Sequence, residues 1–297
     1  MLDFVNTNTF RDFADFVIML NNNKPFVYAI LKQNAIIYCK TDYISYLFEN
    51  LKFSNRKYIL ITHASDYPID EIKFKSRPQC IKKWFAENAT YAHEDLISIP
   101  VGLTPHKDID KTGIDLDWYS DNIERLKSNP KDINILYCRW STKNNPAKRG
   151  NVIEKLKQNN IQYVWEYPDF PNNIDELLQE QLRLVKQGNA TYKRFNELLT
   201  WYEYCENMSK YKFVVAPPGN GEDTHRVWDA LYMGCIPIVI RGNVFNDYKN
   251  DLPIIQVNDY SEVTYDLLHS YLNKEYNYEK LTMEYWKKRI TNELNKL

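Results

Sequence analysis

Short apolar runs alternate along this chain with stretches whose apolar residues recur every three to four positions. Ala35-Ile36-Ile37-Tyr38-Cys39, Tyr58-Ile59-Leu60-Ile61-Thr62 and Ile97-Ser98-Ile99-Pro100-Val101 read as buried strands. Between them, Tyr43 to Leu51 carries a helical period and Ile81 to Ala86 a helix-like one. Strands separated by helices imply βαβ units and a mainly parallel sheet, an α/β protein. After Gly102 the composition turns polar as far as Pro130, which is the best place for a boundary. A second α/β series follows. It has a strand from Ile133 to Cys138, a helix opened by Asn145 as cap and Pro146 at its first position, and a strand from Tyr163 to Trp165. A helix with Ile174, Leu177, Leu178, Leu182 and Val185 on one face comes next, then an aromatic helix from Phe195 to Tyr204. After Ile240 we expect a short strand, Pro253 to Val257, and two amphipathic helices, Ser261 to Leu272 and Leu281 to Ile290. The organisation expected is therefore two domains, 1–125 and 126–297, with the last helix a candidate to pack back on the first.

The most informative stretch runs from Lys212 to Ile240. Phe213 to Val215 is a strand that ends in Pro217-Pro218-Gly219, which cannot continue a ladder. Gly219 and Gly221 let the amides of the loop, through Asn220 and Glu222, approach a ligand closely. A helix then begins at Asp223 or Thr224, both good caps, followed by His225 and Arg226, and Gly234 supplies a left-handed stop before the strand Ile236 to Ile240. Unpaired amides and the positive end of the helix favour an anion, and Arg226 projects from the first turn. The segment reads as a diphosphate cradle.

Bulk properties narrow the partner. At 297 residues the chain is large enough for two cores, and 44% hydrophobic content makes it globular. A net charge of -1 with signs interspersed gives no chain-wide attraction for nucleic acid or lipid, so a charged ligand must be held locally. Five scattered cysteines without a Cys-x-x-Cys pair point to reduced thiols and away from structural zinc. Asp3, Arg11, Asp12 and Asp15 interrupt the N-terminal apolar residues, and no apolar run approaches a membrane span. A cytoplasmic protein is expected.

Within the cradle, Thr224 replaces the third glycine of a dinucleotide fingerprint, and no Gly-Lys-Ser/Thr is present, so a nucleoside diphosphate is the better ligand. Arg226 and Asp229 share one helix face; an exposed ion pair at that spacing contributes only about 0.2–0.5 kcal/mol, which favours a role for Asp229 on a ribose hydroxyl or in orienting Arg226. Arg139, directly after a strand, is a second candidate because ligands in such sheets sit beyond the carboxyl ends of strands. Lys148 and Arg149 read as helix-surface charges. Asp108-Ile109-Asp110 and Asp115-Leu116-Asp117 match a metal-binding Asp-x-Asp, but they lie in the polar connector rather than after an apolar strand and are discounted.

On Lys212 to Val239, together with Leu60 to Asp66, Trp84 to Asn88, Ile99 to Leu103, Thr142 to Arg149, Leu252-Pro253-Ile254 and Tyr285-Trp286, the chain resembles exostosin-like glycosyltransferases over most of its length. The resemblance implies a GT-B fold of two Rossmann-like domains facing across a cleft, with a nucleotide-sugar, expected to carry UDP, on the second and a glycan acceptor on the first. It also implies inversion at the anomeric carbon with no cofactor and no required metal. Pro218 stands where many relatives have an arginine, and the membrane anchor of Golgi-type relatives is absent. Transfer needs a base for the acceptor hydroxyl. His63-Ala64-Ser65-Asp66 follows a strand, which makes Asp66 the first candidate and His63 the second; Glu87 and Asn88 are candidates to bind sugar hydroxyls. The alternatives are an epimerase or phosphorylase on the same fold, or a non-catalytic glycan-binding protein.

Overall fold

The computed structural model describes residues 4–19, 33–103, 116–165 and 201–297. The first half contains α1 (Thr7–Phe13), β1 (Phe16–Ile18), β2 (Ala35–Lys40), α2 (Ile44–Leu51), β3 (Tyr58–His63), α3 (Glu71–Lys75), β4 (Ile81–Ala86) and β5 (Leu96–Ser98). The second contains α4 (Leu116–Ser128), β6 (Asp132–Cys138), α5 (Pro146–Arg149), α6 (Val152–Gln158), β7 (Gln162–Trp165), α7 (Trp201–Met208) and β8 (Tyr211–Val215), then α8 (His225–Tyr232), β9 (Ile236–Ile240), β10 (Ile255–Val257), α9 (Tyr265–His269) and α10 (Met283–Leu294). The strands form two five-stranded sheets, β1-β2-β3-β4-β5 and β10-β9-β8-β6-β7. Every pairing in both is parallel. This is the α/β architecture of two Rossmann-like sheets expected from the sequence.

Because strand side chains alternate between faces, each apolar strand feeds two cores. Ile36, Tyr38, Ile59 and Ile61 of the first sheet join Tyr137, Val214 and Val239 of the second in one continuous core. Ile37, Cys39, Tyr58 and Leu60 pack on the outer face of the first sheet against Leu47 and Leu51. Leu136, Cys138, Phe213 and Ile238 do the same on the second against Val152 and Leu156. All five cysteines are buried and free. Tyr232 of α8 ties the layers together: its hydroxyl accepts from the Val5 amide at 2.9 Å and donates to the Leu281 carbonyl at 2.6 Å. Helix α10 packs on α1 and β3, with Trp286 fully buried and its ring 6.2 Å from that of Phe10.

Several local expectations change. Ile81–Ala86 is a strand, not a helix; Ile81, Trp84 and Phe85 mimic helical spacing because Trp84 and Phe85 of this interior strand are buried on opposite faces of the sheet. The polar connector holds helix α4, which buries Tyr119, Ile123 and Leu126, and residue 125 lies inside it. Ser261 to Leu272 resolves into a 3-10 turn, Tyr260–Glu262, and the short helix α9. The expected helix around Ile174 to Val185, and the start of the aromatic one at Phe195, lie outside the described residues, as do Asp108, Asp110 and Asp115. Among the described residues no helix is long and apolar enough to cross a membrane.

Truncating Trp286 to alanine removes a fully buried indole from the junction of α10, α1 and β3. The expected cost is about 3–5 kcal/mol, read as a fall in the urea midpoint.

Candidate functional site

In the second sheet the chain runs from β6 to β7 on one side and returns to β8 on the other, so the strand order reverses between β6 and β8. Such a switch point leaves a crevice beyond the carboxyl ends of the strands. Here the loops after β6 and β8 face those after β3, β4 and β5 across a groove. Its cavity of about 440 Å³ is lined by Ala64, Ser65, Asp66, Glu87 and Val101 on one side and by Arg149, Gly219, Asn220, Asp223, Thr224 and His225 on the other. A second cavity of about 210 Å³ lies on the far side of the same loop, between Lys148, Lys155, Pro218, Glu222, Ile240, Arg241 and Tyr260.

On the first-sheet side, His63 is fully buried. Its Nδ1 is 2.7 Å from Glu87 Oε2 and its Nε2–H donates to the Pro100 carbonyl at 3.0 Å. Burial pulls the imidazole's pKa down, but the charge and hydrogen bond of Glu87 outweigh it and the net shift is upward. Burial likewise raises Glu87, and His63 pulls it below the usual carboxylate range. Both shifts favour the charged form of the pair, and both ring nitrogens are engaged. His63 is the second candidate base of the sequence reading; its ring is fully buried, held at both nitrogens and absent from the lining of the groove. Glu87 also accepts from the Ala64 amide at 2.9 Å, which holds Ala64 in the left-handed region (φ 63°) and turns Asp66 outward. Asp66 is exposed, and its Oδ2 accepts from Asn220 Nδ2 across the groove at 3.3 Å.

The cradle has the expected order of strand, loop, helix, left-handed Gly234 (φ 72°) and strand. Its cap does not work as expected. Thr224 occupies the N-cap position without a side-chain capping bond. Asp223 instead points into the seam between the sheets, where its carboxylate accepts from the Val101 amide at 2.8 Å and from Trp228 Nε1 at 2.9 Å. Burial lifts its pKa to about 7 despite these bonds. Asn88 is not placed for sugar hydroxyls either. Buried and left-handed (φ 54°), it accepts from the Asp223 amide at 2.9 Å and donates to the Ser65 carbonyl at 3.2 Å. A side chain at Gly221 would start 2.7 Å from Asn88 Nδ2, so this glycine is required by close approach. His225 donates through Nδ1 to the Gly102 carbonyl at 2.6 Å. Glu222 turns to the smaller cavity.

Two guanidinium groups lie near enough behind this loop to feel each other's charge, Arg149 in the wall of the larger cavity and Arg226 in the wall of neither. Arg149, expected on a helix surface, is buried, with Nε donating to the Pro218 carbonyl at 2.8 Å. Burial, together with the like charge of Arg226, lowers its pKa to about 10. Arg226 Nε is buried without a hydrogen-bond partner. Among the described residues neither arginine makes an ion pair with a carboxylate. Asn145, left-handed (φ 64°), makes no capping bond; its amide donates instead to the Gly219 carbonyl at 2.6 Å and so fixes α5 to the cradle. Arg139 lies over the Tyr204 ring at 4.9 Å and lines neither cavity, with Nη1 buried and unpartnered. Asp229 is buried too, accepting from the Tyr204 hydroxyl at 3.2 Å, so it is turned away from a ribose, and burial raises its pKa to about 8. Sequence reasoning left Arg149 on a helix surface and did not single out Tyr260; no local signal marks the burial of Arg149 against Pro218. Among the described residues no trio of His, Cys, Asp or Glu is placed to hold a metal.

No protein-family model matches the chain, and no curated protein matches it significantly. Among solved structures, it is similar to Anabaena HepE in complex with UDP and glucose, at TM-score 0.42 and 9% identity over 88% of this chain and 78% of that one. It is similar also to a UDP-forming alpha,alpha-trehalose-phosphate synthase from Burkholderia vietnamiensis, at TM-score 0.42 and 9% identity over 91% of this chain and 74% of that one. Identity of 9% leaves the site's side chains to be read from this chain alone.

Asp223 and Asp229 hold protons in the fold up to about pH 7 and 8, whereas in the unfolded chain they release them near 3.8. The folded state therefore binds more protons across this window, and stability falls as pH rises through it. His63, raised above 6.5, adds to the same slope near neutrality; the Glu87 contribution, lowered from 4.5, lies below it. Urea midpoints should decline from pH 5 to 8.5, less steeply in Asp229→Asn, and an identical slope in that variant would contradict the assignment.

Proposed function

We propose that this chain is a GT-B glycosyltransferase of exostosin-like type that transfers a sugar from a UDP-sugar to a glycan hydroxyl with inversion. The observation that carries the reading is the pair Arg149 and Arg226, which feel each other's charge and among the described residues form no ion pair with a carboxylate, beside a glycine loop at the strand-order switch point. Like charges brought together in a partly buried site are unfavourable alone and become favourable around a polyanion. The smaller cavity, with Glu222 facing it, is of a size and polarity to seat the nucleoside, and the loop between the cavities then carries the diphosphate.

Asp66 is the base this geometry favours, because it is the exposed carboxylate on the groove wall opposite the cradle. It would take the proton of the acceptor hydroxyl as that oxygen attacks the anomeric carbon and the bond from that carbon to the diphosphate breaks. Arg149, Arg226 and the loop amides would take up the charge developing on the departing diphosphate, the role a divalent metal fills in other transferases. Glu87, His63 and Asn88 would act by fixing the loops that bear Asp66 and the cradle.

Calorimetric titration with UDP and GDP tests the ligand class, since a glycan-binding protein without a nucleotide site gives no heat with either. Arg149→Ala and Arg226→Ala are each expected to lower turnover by about 10²-fold or more while the thermal transition persists. Activity is expected to survive EDTA, and strict manganese dependence would return attention to Asp108, Asp110, Asp115 and Asp117.

A further inference from the structure

Tyr260 opens the 3-10 turn after β10, and its ring is packed in the outer core of the second sheet. The turn is held firmly: the Asp259 carboxylate accepts from the Ser261 amide at 3.0 Å and the Ser261 hydroxyl at 2.7 Å, and pairs with Lys155. The residue is only 2% exposed, yet it forms part of the wall of the smaller cavity beside Pro218 and Glu222. Its hydroxyl is buried and meets no hydrogen-bond partner. Burying a hydroxyl unsatisfied is costly, so such a group in a cavity wall points to a ligand. Burial raises the phenol's pKa above its ordinary value, which keeps it a donor at neutral pH, and the positive charges it feels are those of Arg226 and Arg149. The same cavity is lined by Lys148, Lys155 and Arg241 and reaches Pro218, whose carbonyl orients Arg149, so a phenolic O–H in its wall suits an anionic oxygen.

We propose that the Tyr260 hydroxyl is a third side-chain ligand of the diphosphate, donating a hydrogen bond to a phosphoryl oxygen where the nucleoside cavity reaches Pro218, whose carbonyl orients Arg149. This rests on the nucleotide reading above and adds a contact that no feature of the sequence had singled out. The phenol thereby distinguishes a nucleoside diphosphate from a nucleoside.

Tyr260→Phe deletes the hydroxyl and keeps the packed ring. Because no protein partner is lost, the ligand-free variant should melt at or above the wild-type temperature. Its affinity for whichever of UDP and GDP the wild type binds should fall about tenfold or more, and the inhibition constant of inorganic pyrophosphate, corrected for the variant's own nucleotide affinity, should rise by a similar factor. Unchanged nucleotide affinity overturns the assignment, and so does an unchanged inhibition constant for pyrophosphate, which would move the contact to the nucleoside. If wild-type protein binds neither nucleotide, the donor-site reading and this assignment fail together; if it binds one and the variant binds it equally, only the role of Tyr260 fails.

Discussion

A carboxylate buried between the two sheets governs how the groove is built. Asp223 belongs to the cradle, but the amide it serves, Val101, follows β5 in the other half, and its own amide is held by Asn88, which follows β4. Asn88 in turn grips the carbonyl of Ser65, next to Asp66. One short chain of bonds thus sets the distance between the loop with the exposed carboxylate and the loop that approaches the arginines. Burying Asp223 is unfavourable, as its raised pKa records. What the interaction gives is position: a glycine-containing loop that would otherwise sample many conformations is fixed from the opposite sheet.

Around this seam the charges fall into two kinds. His63 and Glu87 neutralise each other and are enclosed, so they shape the loops. Arg149 and Arg226 form no ion pair with a carboxylate among the described residues, and backbone carbonyls of Pro217, Pro218 and Ser141 orient the first. A protein keeps such uncompensated charge together where a ligand supplies the counter-charge. That contrast separates groups that build the groove from groups available to a substrate more sharply than their sequence positions do.

The parallel strands and the cradle were legible because each is a local signal: a continuous β-branched run, a Pro-Pro-Gly break, a left-handed glycine at a helix end. What could not be read was set by contacts distant in sequence. Ile81–Ala86 looked helical because burial on both faces erases the period of two that marks a half-exposed strand. Asn145 looked like a cap, but the Gly219 carbonyl, 74 residues away, competes for its amide. Arg149 looked solvated because nothing in four helical residues reveals that Pro218 will cross them. His63 looked available because its partner, Glu87, comes from the neighbouring strand.

Tyr232 joins the cradle helix to backbone near both ends of the described chain, at Val5 and at Leu281. The helix that presents Arg226 is therefore moored from two directions through one phenol. A displacement of either backbone segment would consequently be passed to this helix, so the orientation of Arg226 depends on residues far from the groove.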